Sequence, residues 1–425
     1  MRISYAAVLG PTLLFLSFVA AQNQRRIGTR HDVSLELHRQ MGSNLGSFSS
    51  GEIFPDLSPV GLVQSGKGFI GTGTLISPTI VVTAGHVLRG SYKVKAPVAS
   101  EWTFSLGSDS LKPTATYSVS EIILHPGWTA RLSYEGGIGD GDILGLDLAL
   151  LRLDLPVTGV TPARFNAGDS ELIGSRVILA GYGSIADGKR GVTSVDNFDR
   201  LAGENTLDRV VETVNASNVP QAYRGGLLGV DFDSPDEFFN SLGSKASPID
   251  YLGSGSSAST PLPYEATTAE GDSGGPAFVR MNDVWKVVGT VSYGTESSVY
   301  GDVTVYTRLA SQSDWLQSYL ERWASARRTG FGEWLNLDWL GNFATYQGDW
   351  AFHEKLGWFY SPGNDADEFW AWQTGIGWWW TSIKAYPYFY AHDRSRWLYF
   401  SASDSTPSSC RFYDYEIKDW RIFEH

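Results

Sequence analysis

The sequence predicts an all-β protein in two parts, a large barrel or sandwich region followed by a smaller aromatic-rich β region. Two observations carry this. From about residue 60 to residue 307, short β-branched runs such as "VGLV", "GTLIS", "TIVVTAG", "YSVSEIIL", "LALLRLDL", "SRVILAGYG", "VWKVVGTVSYG" and "VTVYTRL" are divided by Gly, Ser, Pro and Asp. Runs this short, separated by turn formers, are the pattern of barrels and sandwiches. The composition then breaks sharply, because eleven of the 16 tryptophans fall in the last 95 residues. At 425 residues the chain also exceeds the size at which one core keeps growing, which favours two domains.

The elements follow in order. The opening "MRISYAAVLGPTLLFLSFVAAQNQ" combines Arg2, an apolar stretch from about Val8 to Ala20 and a run of small residues. That is a signal-peptide layout over 1–21, followed by an N-terminal segment over 22–50. The apolar run is short and interrupted by Pro11, which argues against an uncleaved anchor. No later stretch is apolar for long enough to span a bilayer, so no transmembrane segment is expected in the mature chain. The β-rich region occupies 51–324 and ends in "SQSDWLQSYLERWA", where Trp315, Tyr319 and Trp323 recur four apart. This spacing predicts a terminal helix, with Ser313 placed to cap it. A boundary is expected near 324–332, leaving 325–425 as a domain of β-hairpins. There "GWFY…FWAW" and "GWWW…YFY…WLYF" read as approximate hairpin repeats. Their aromatic rings serve either as the core of a small module or as a surface for sugars or quaternary amines.

Composition bounds the function. The chain is 42% apolar and 19% charged, the balance of a soluble globular protein. Its net charge of -13 argues against nucleic acid or an anionic membrane as partner. The acidic segments "GIGDGD" and "DFDSPDE" lack the alternating ligand spacing of a calcium loop and read as solvated surface. No metal or cofactor is expected. Cys410 is the only cysteine, so an intrachain disulfide is excluded; the thiol reads as buried and inert, a usage that fits a bacterial exported protein.

The chemistry centres on "TTAEGDSGGPAF", in which Ser273 stands between Asp272 and two glycines. A serine hydroxyl is a poor nucleophile unless an imidazole takes its proton and a carboxylate holds that imidazole in the right tautomer. "VVTAGHV" ends a β-branched run at His86, and "LDLALLRL" opens an apolar strand with Asp147, where a lone carboxylate is costly to bury without a partner. His86, Asp147 and Ser273 supply each required type once.

These motifs, "TAGH", "DLALL" and "GDSGGP", with "GTGTLISP", "ILHPGW", "VSYG" and "VYTRL" around them, resemble the trypsin/chymotrypsin-like serine proteases over roughly residues 50–324. The resemblance implies two six-stranded β-barrels with a C-terminal helix. It also implies a secreted endopeptidase acting on protein or peptide substrates through an acyl-enzyme, with Ser273 as nucleophile, His86 as general base and then acid, and Asp147 as orienting carboxylate. Gly271 and Ser273 would offer the oxyanion-hole amides, and Ser292, Tyr293 and Gly294 the strand that pairs with substrate. Thr267 would form the base of the primary pocket and Gly294 and Thr304 its walls, implying an uncharged P1 residue.

The chain departs from the family in three respects. The usual cysteines are missing: Gly71 and Val87 stand at the positions flanking the histidine, and Ala269 at the one before the serine. The spacing between motifs is long, predicting inserted loops around 130–142 and 185–262. No "IVGG"-like start lies at the usual distance, though "RRIG" at 25–28 offers a cleavage site before Ile27, whose freed amino group would pair with Asp272. Two alternatives follow, a protease-fold binding protein that never matures and a surface adhesin led by the C-terminal module, with polysaccharide or another cell-surface ligand as its partner.

Overall fold

The computed structural model describes residues 26–424 apart from short internal stretches, of which 90–96, 131–142 and 244–251 are the longest. The expected signal segment 1–21, nearly all of the first inserted loop and the "GIGDGD" segment lie outside the described residues. Among the described residues no helix is long and apolar enough to cross a membrane.

The β-branched runs form strands as expected. A closed barrel is built from β2 (Val60–Ser65), β3 (Ile70–Ser77), β4 (Ile80–Thr83), β5 (Trp102–Leu106), β6 (Ala115–Leu124) and β7 (Ala149–Leu153), in the order β2-β3-β4-β7-β6-β5. Its interior holds Val63, Leu75, Val81, Phe104, Ala149 and Leu151 among others. Gly61 is required in this wall, because a Cβ there would lie 2.4 Å from the Phe104 ring.

The second barrel expected from the resemblance is not closed. It is a seven-stranded sheet in which β8 (Arg176–Gly181), β11 (Leu201–Thr206), β12 (Arg209–Val211), β13 (Leu227–Asp231), β15 (Pro276–Met281), β16 (Val284–Gly294) and β17 (Val303–Arg308) run in the order β11-β8-β15-β16-β17-β13-β12. A separate four-stranded sheet lies beside it, with β1 (Arg26–Thr29) between β9 (Ser184–Asp187) and β14 (Ala266–Thr267) and with β10 (Gly191–Ser194) at the edge. The region 185–262 is therefore not inserted loop alone, since it carries strands of both sheets.

Two further expectations are corrected. The helix after β17 spans Ser313–Tyr319 only; Gln312 rather than Ser313 stands at its N-cap, and no side chain caps it. Trp323 lies beyond the helix and packs on Phe343 and Phe369 of the C-terminal sheet. The "DFDSPDE" segment is not solvated at its start: Asp231 and Asp233 are 1% and 4% exposed, beside the buried Asp208 and Glu265. Desolvation dominates there and raises all four carboxyls, Asp208 and Glu265 to about 8 and Asp233 to about 9.

The C-terminal region is one antiparallel meander of eleven strands among the described residues, from Arg327–Arg328 to Asp419–Glu424. Period-2 alternation sorts its aromatics by chemistry. Phe343, Phe359, Phe369, Phe389, Phe400 and Phe412, with Trp379, form the buried core. Tryptophan and tyrosine dominate the opposite face, registered strand against strand. Trp370, Trp380, Tyr390 and Trp397 oppose one another in sequence across four strands. Tyr388, Tyr399, Tyr413 and Trp420 form a second such row, and Trp350, Tyr360, Trp372 and Trp378 a third. The core role expected of the aromatics is thus realised on one face, while the opposite face turns tryptophan and tyrosine outward. Cys410 is buried in the core, where desolvation pushes its thiol up to about 12.

Candidate active site

His86 sits in a short helix that begins at Gly85, directly after β4. Gly85 must be small, because a Cβ there would lie 3.1 Å from the Trp128 ring and 3.2 Å from Asp147 Oδ1. Asp147, just before β7, is fully buried. Its Oδ1 accepts the backbone N–H of His86 at 2.9 Å, and its Oδ2 lies 2.6 Å from His86 Nδ1. The Ser292 hydroxyl donates to the same Oδ2 at 2.7 Å. Burial alone would raise this carboxyl; the His86 charge and the bonds from His86 and Ser292 outweigh burial and hold it below the usual range. An ionised Asp147 makes Nδ1 the donor and leaves Nε2 as the basic nitrogen.

Ser273 is half-buried in a turn with left-handed glycines on either side, Gly271 at φ +94° and Gly274 at φ +82°. A Cβ at Gly274 would lie 2.1 Å from Thr83 Oγ1 and 2.9 Å from the Ala84 nitrogen. Its absence lets the serine turn press on the strand end that carries His86. The Thr72 amide holds the Ser273 carbonyl at 2.8 Å from the other side. Within the turn the amides of Asp272, Gly274 and Gly275 donate to Ala269, Val291 and Asp272 carbonyls. Among the described residues, the Gly271 and Ser273 amides donate to no protein group. Two spare donors two residues apart, beside a hydroxyl, suit a developing oxyanion.

The expected pocket residues also meet. Thr267 Oγ1 and Thr268 Oγ1 lie 3.0 and 2.9 Å from Thr304 Oγ1, so the residues expected as pocket base and wall are in hydrogen-bond contact. Gly294 opposes Thr304 across β16 and β17, and a Cβ there would lie 2.6 Å from the Val303 carbonyl. Tyr293 stands beside it in β16.

Sequence reasoning missed two features. Ser292 was expected only as part of the substrate-pairing strand, yet its side chain is bonded to Asp147; a buried hydroxyl in an apolar strand was the available signal. The second is β1. Ile27 is fully buried among Leu179, Ile185, Leu201, Ala266 and Ala269. Its strand pairs with Ser184–Asp187 on one side and Ala266–Thr267 on the other. Arg26 is in register with Ser184, the neighbour of Gly183, whose amide donates to Asp272 Oδ1 at 2.8 Å. Asp272 is fully buried and takes one further bond, from the Ala269 amide at 2.9 Å. Burial outweighs both bonds and raises its carboxyl to about 7. Beyond the pocket, the His31 amide donates to the Tyr300 hydroxyl at 3.0 Å and His31 Nδ1 lies 2.7 Å from it, tying β1 to the segment before β17.

A family model described as Trypsin matches residues 58–209 and 255–316, together just over half of the chain. Vitamin K-dependent protein C from Rattus norvegicus is 27% identical over 276 residues, covering 61% of this chain and 48% of that protein. The Mus musculus and Oryctolagus cuniculus forms are 26% and 24% identical over the same shares. The chain thus spans about half the length of the curated relatives it matches.

Proposed function

Since the chain belongs to the trypsin family, we propose that it is a serine endopeptidase in which Ser273, His86 and Asp147 act as the triad. The observation that carries this reading is the double hold on Asp147, by His86 and by Ser292, next to a serine turn with two spare amides. His86 Nε2 takes the Ser273 proton as Oγ attacks the scissile carbonyl. The Gly271 and Ser273 amides stabilise the oxyanion, and His86 then protonates the leaving amine. Water hydrolyses the acyl-enzyme by the same route in reverse. Protein or peptide substrate would pair with Ser292–Gly294 as an added strand. The Thr267–Thr268–Thr304 cluster supports a small or medium uncharged P1 residue, because a lysine or arginine there would lack a counter-charge.

Activation is proposed to follow cleavage after Arg26. The burial of Ile27 beside the strand that leads from Asp272 supports it, since a freed ammonium would supply the charge that Asp272 lacks. The protein is read as exported, with the aromatic sheet holding it on a surface.

Ser273→Ala tests the proposal. It should leave folding intact and abolish proteolysis, with kcat reduced by several orders of magnitude. A fluorophosphonate probe should label the wild type and spare the variant. A cleaved wild-type chain that takes no label would favour the rival reading, a protease fold kept for binding. The rate should also fall on the acid side as His86 is protonated.

A further inference from the structure

We propose that the outer face of the C-terminal sheet binds an extended, uncharged polysaccharide laid across the strands. This rests on the reading that the sheet holds the enzyme on a surface, and names the chemistry of that surface.

The alternation that buries phenylalanine leaves tryptophan and tyrosine outside, although phenylalanine would satisfy an ordinary interface equally well. Trp358, Trp370, Trp397 and Tyr388 stay 46%, 41%, 43% and 42% exposed. Soluble monomers rarely leave so much contiguous apolar surface without a partner. Indole and phenol rings combine an apolar face with a polar edge, which suits a ligand with C–H faces and hydroxyl rims.

Register supplies the second argument. Trp370, Trp380, Tyr390 and Trp397 lie opposite one another on four consecutive strands, one ring per strand. Strands repeat every ~4.8 Å, close to the length of one sugar unit in an extended glycan. A glycan running perpendicular to the strands therefore crosses the whole row, in which Trp370 meets Tyr390 and Trp380 meets Trp397 edge to face at centroid separations of 6.4 and 6.0 Å. Charge is the third argument. Arg411 lies over the Trp420 ring and near Asp404, and Arg396 pairs with Asp414 and Glu416. Arg396 and Arg411 are thus matched by carboxylates, and a chain of net charge -13 offers little attraction for a polyanion or an anionic bilayer.

The test uses the full chain with cellulose and chitin as insoluble probes, and compares wild type with Trp370→Ala/Trp397→Ala. Both rings lie outside the core and far in sequence from the triad, so cleavage of a short peptide serves as the folding control. The expected result is depletion of the wild type by at least one probe, little changed by high salt, and at least tenfold weaker binding by the double variant at unchanged peptidase activity. Failure to bind either probe would overturn the proposal. Binding to zwitterionic vesicles instead would overturn the glycan while keeping the surface-holding reading. Concentration-dependent self-association lost in the double variant would show that a second copy covers the face.

Discussion

Asp147 and Asp272 are both fully buried beside the candidate site, and the protein treats them in opposite ways. Asp147 meets an imidazole, a hydroxyl and an amide, and its carboxyl is held below the usual range. Asp272 meets two amides and, among the described residues, no cation, and its carboxyl is raised to about 7. Burial is common to both, so the partners decide the sign. Their effects on stability run in opposite directions. Asp147 contributes stability above its unfolded value of 3.8 that is lost as pH falls through its lower folded value. Asp272 contributes stability below 3.8 that is lost as pH rises towards about 7. Asp147 has a hydroxyl and an imidazole within bonding distance, whereas Asp272 has, among the described residues, amides alone.

The largest expected effect comes from breaking the Asp147 site. Asp147→Asn keeps the size of the side chain but lets the amide favour the wrong imidazole tautomer, and kcat should fall by about 10⁴. A loss of less than tenfold in steady-state assays would remove Asp147 from the triad. At the second carboxyl, Asp272→Asn places an NH2 group against one of two amide donors and should cost roughly 1–3 kcal/mol. In return, the uncleaved chain should lose the share of the stability slope between about pH 4 and pH 7 that Asp272 contributes, while the raised carboxyls of Asp208, Asp231, Asp233 and Glu265 keep theirs. Urea midpoints at pH 5 and pH 8 read this directly, and an unchanged slope would show that Asp272 is not the group responsible.

These two sites also show what was legible in the sequence. His86 and Asp147 each lie in a short local motif, a hydroxyl nucleophile requires both residue types, and the resemblance of those motifs to the trypsin-like proteases implied their pairing before any coordinates. The strands of the closed barrel were legible for the same local reason. The open second sheet was not, because closure depends on which edges meet and no run of residues encodes that. Ile27 was legible as a new chain start but its strand pairing was not, nor was the bond from Ser292 to Asp147, because the partners lie more than 150 and 145 residues away. The burial of Asp231 and Asp233 was concealed by composition: "DFDSPDE" looks solvated until β13 carries its first aspartate inward. In the C-terminal sheet the hairpin repeats were visible, but the division of phenylalanine from tryptophan and tyrosine between faces needed the register.

A smaller effect should follow from weakening the Asp147 site. Ser292→Ala removes one donor from Asp147 Oδ2 and leaves both bonds from His86. A charge-assisted bond of this kind is worth about 1.5–3 kcal/mol in stability. Only part of that bears on the orientation of the imidazole, so kcat should drop about tenfold with KM little changed. A KM rise at constant kcat would assign Ser292 to substrate pairing alone.

The smallest effect sharpens the contrast by building a third buried aspartate. Thr267 is 2% exposed at the end of β14, and its nearest polar partner is the Thr304 hydroxyl. Thr267→Asp would place a carboxylate among hydroxyls with no cation, the situation of Asp272 rather than that of Asp147. Its carboxyl should therefore rise, and the empty pocket should destabilise the charged form. A lysine or arginine at P1 would supply the missing charge, as the ammonium of Ile27 is proposed to do for Asp272. Preference should move from Ala, Val and Leu towards Lys and Arg, by less than about tenfold because Thr304 still shortens the pocket. Profiling both forms on a mixed peptide library decides it. If the wild type already cleaves mainly after Lys or Arg, an acidic group such as Asp302 reaches the pocket, and the threonine cluster is not the base that selects substrate.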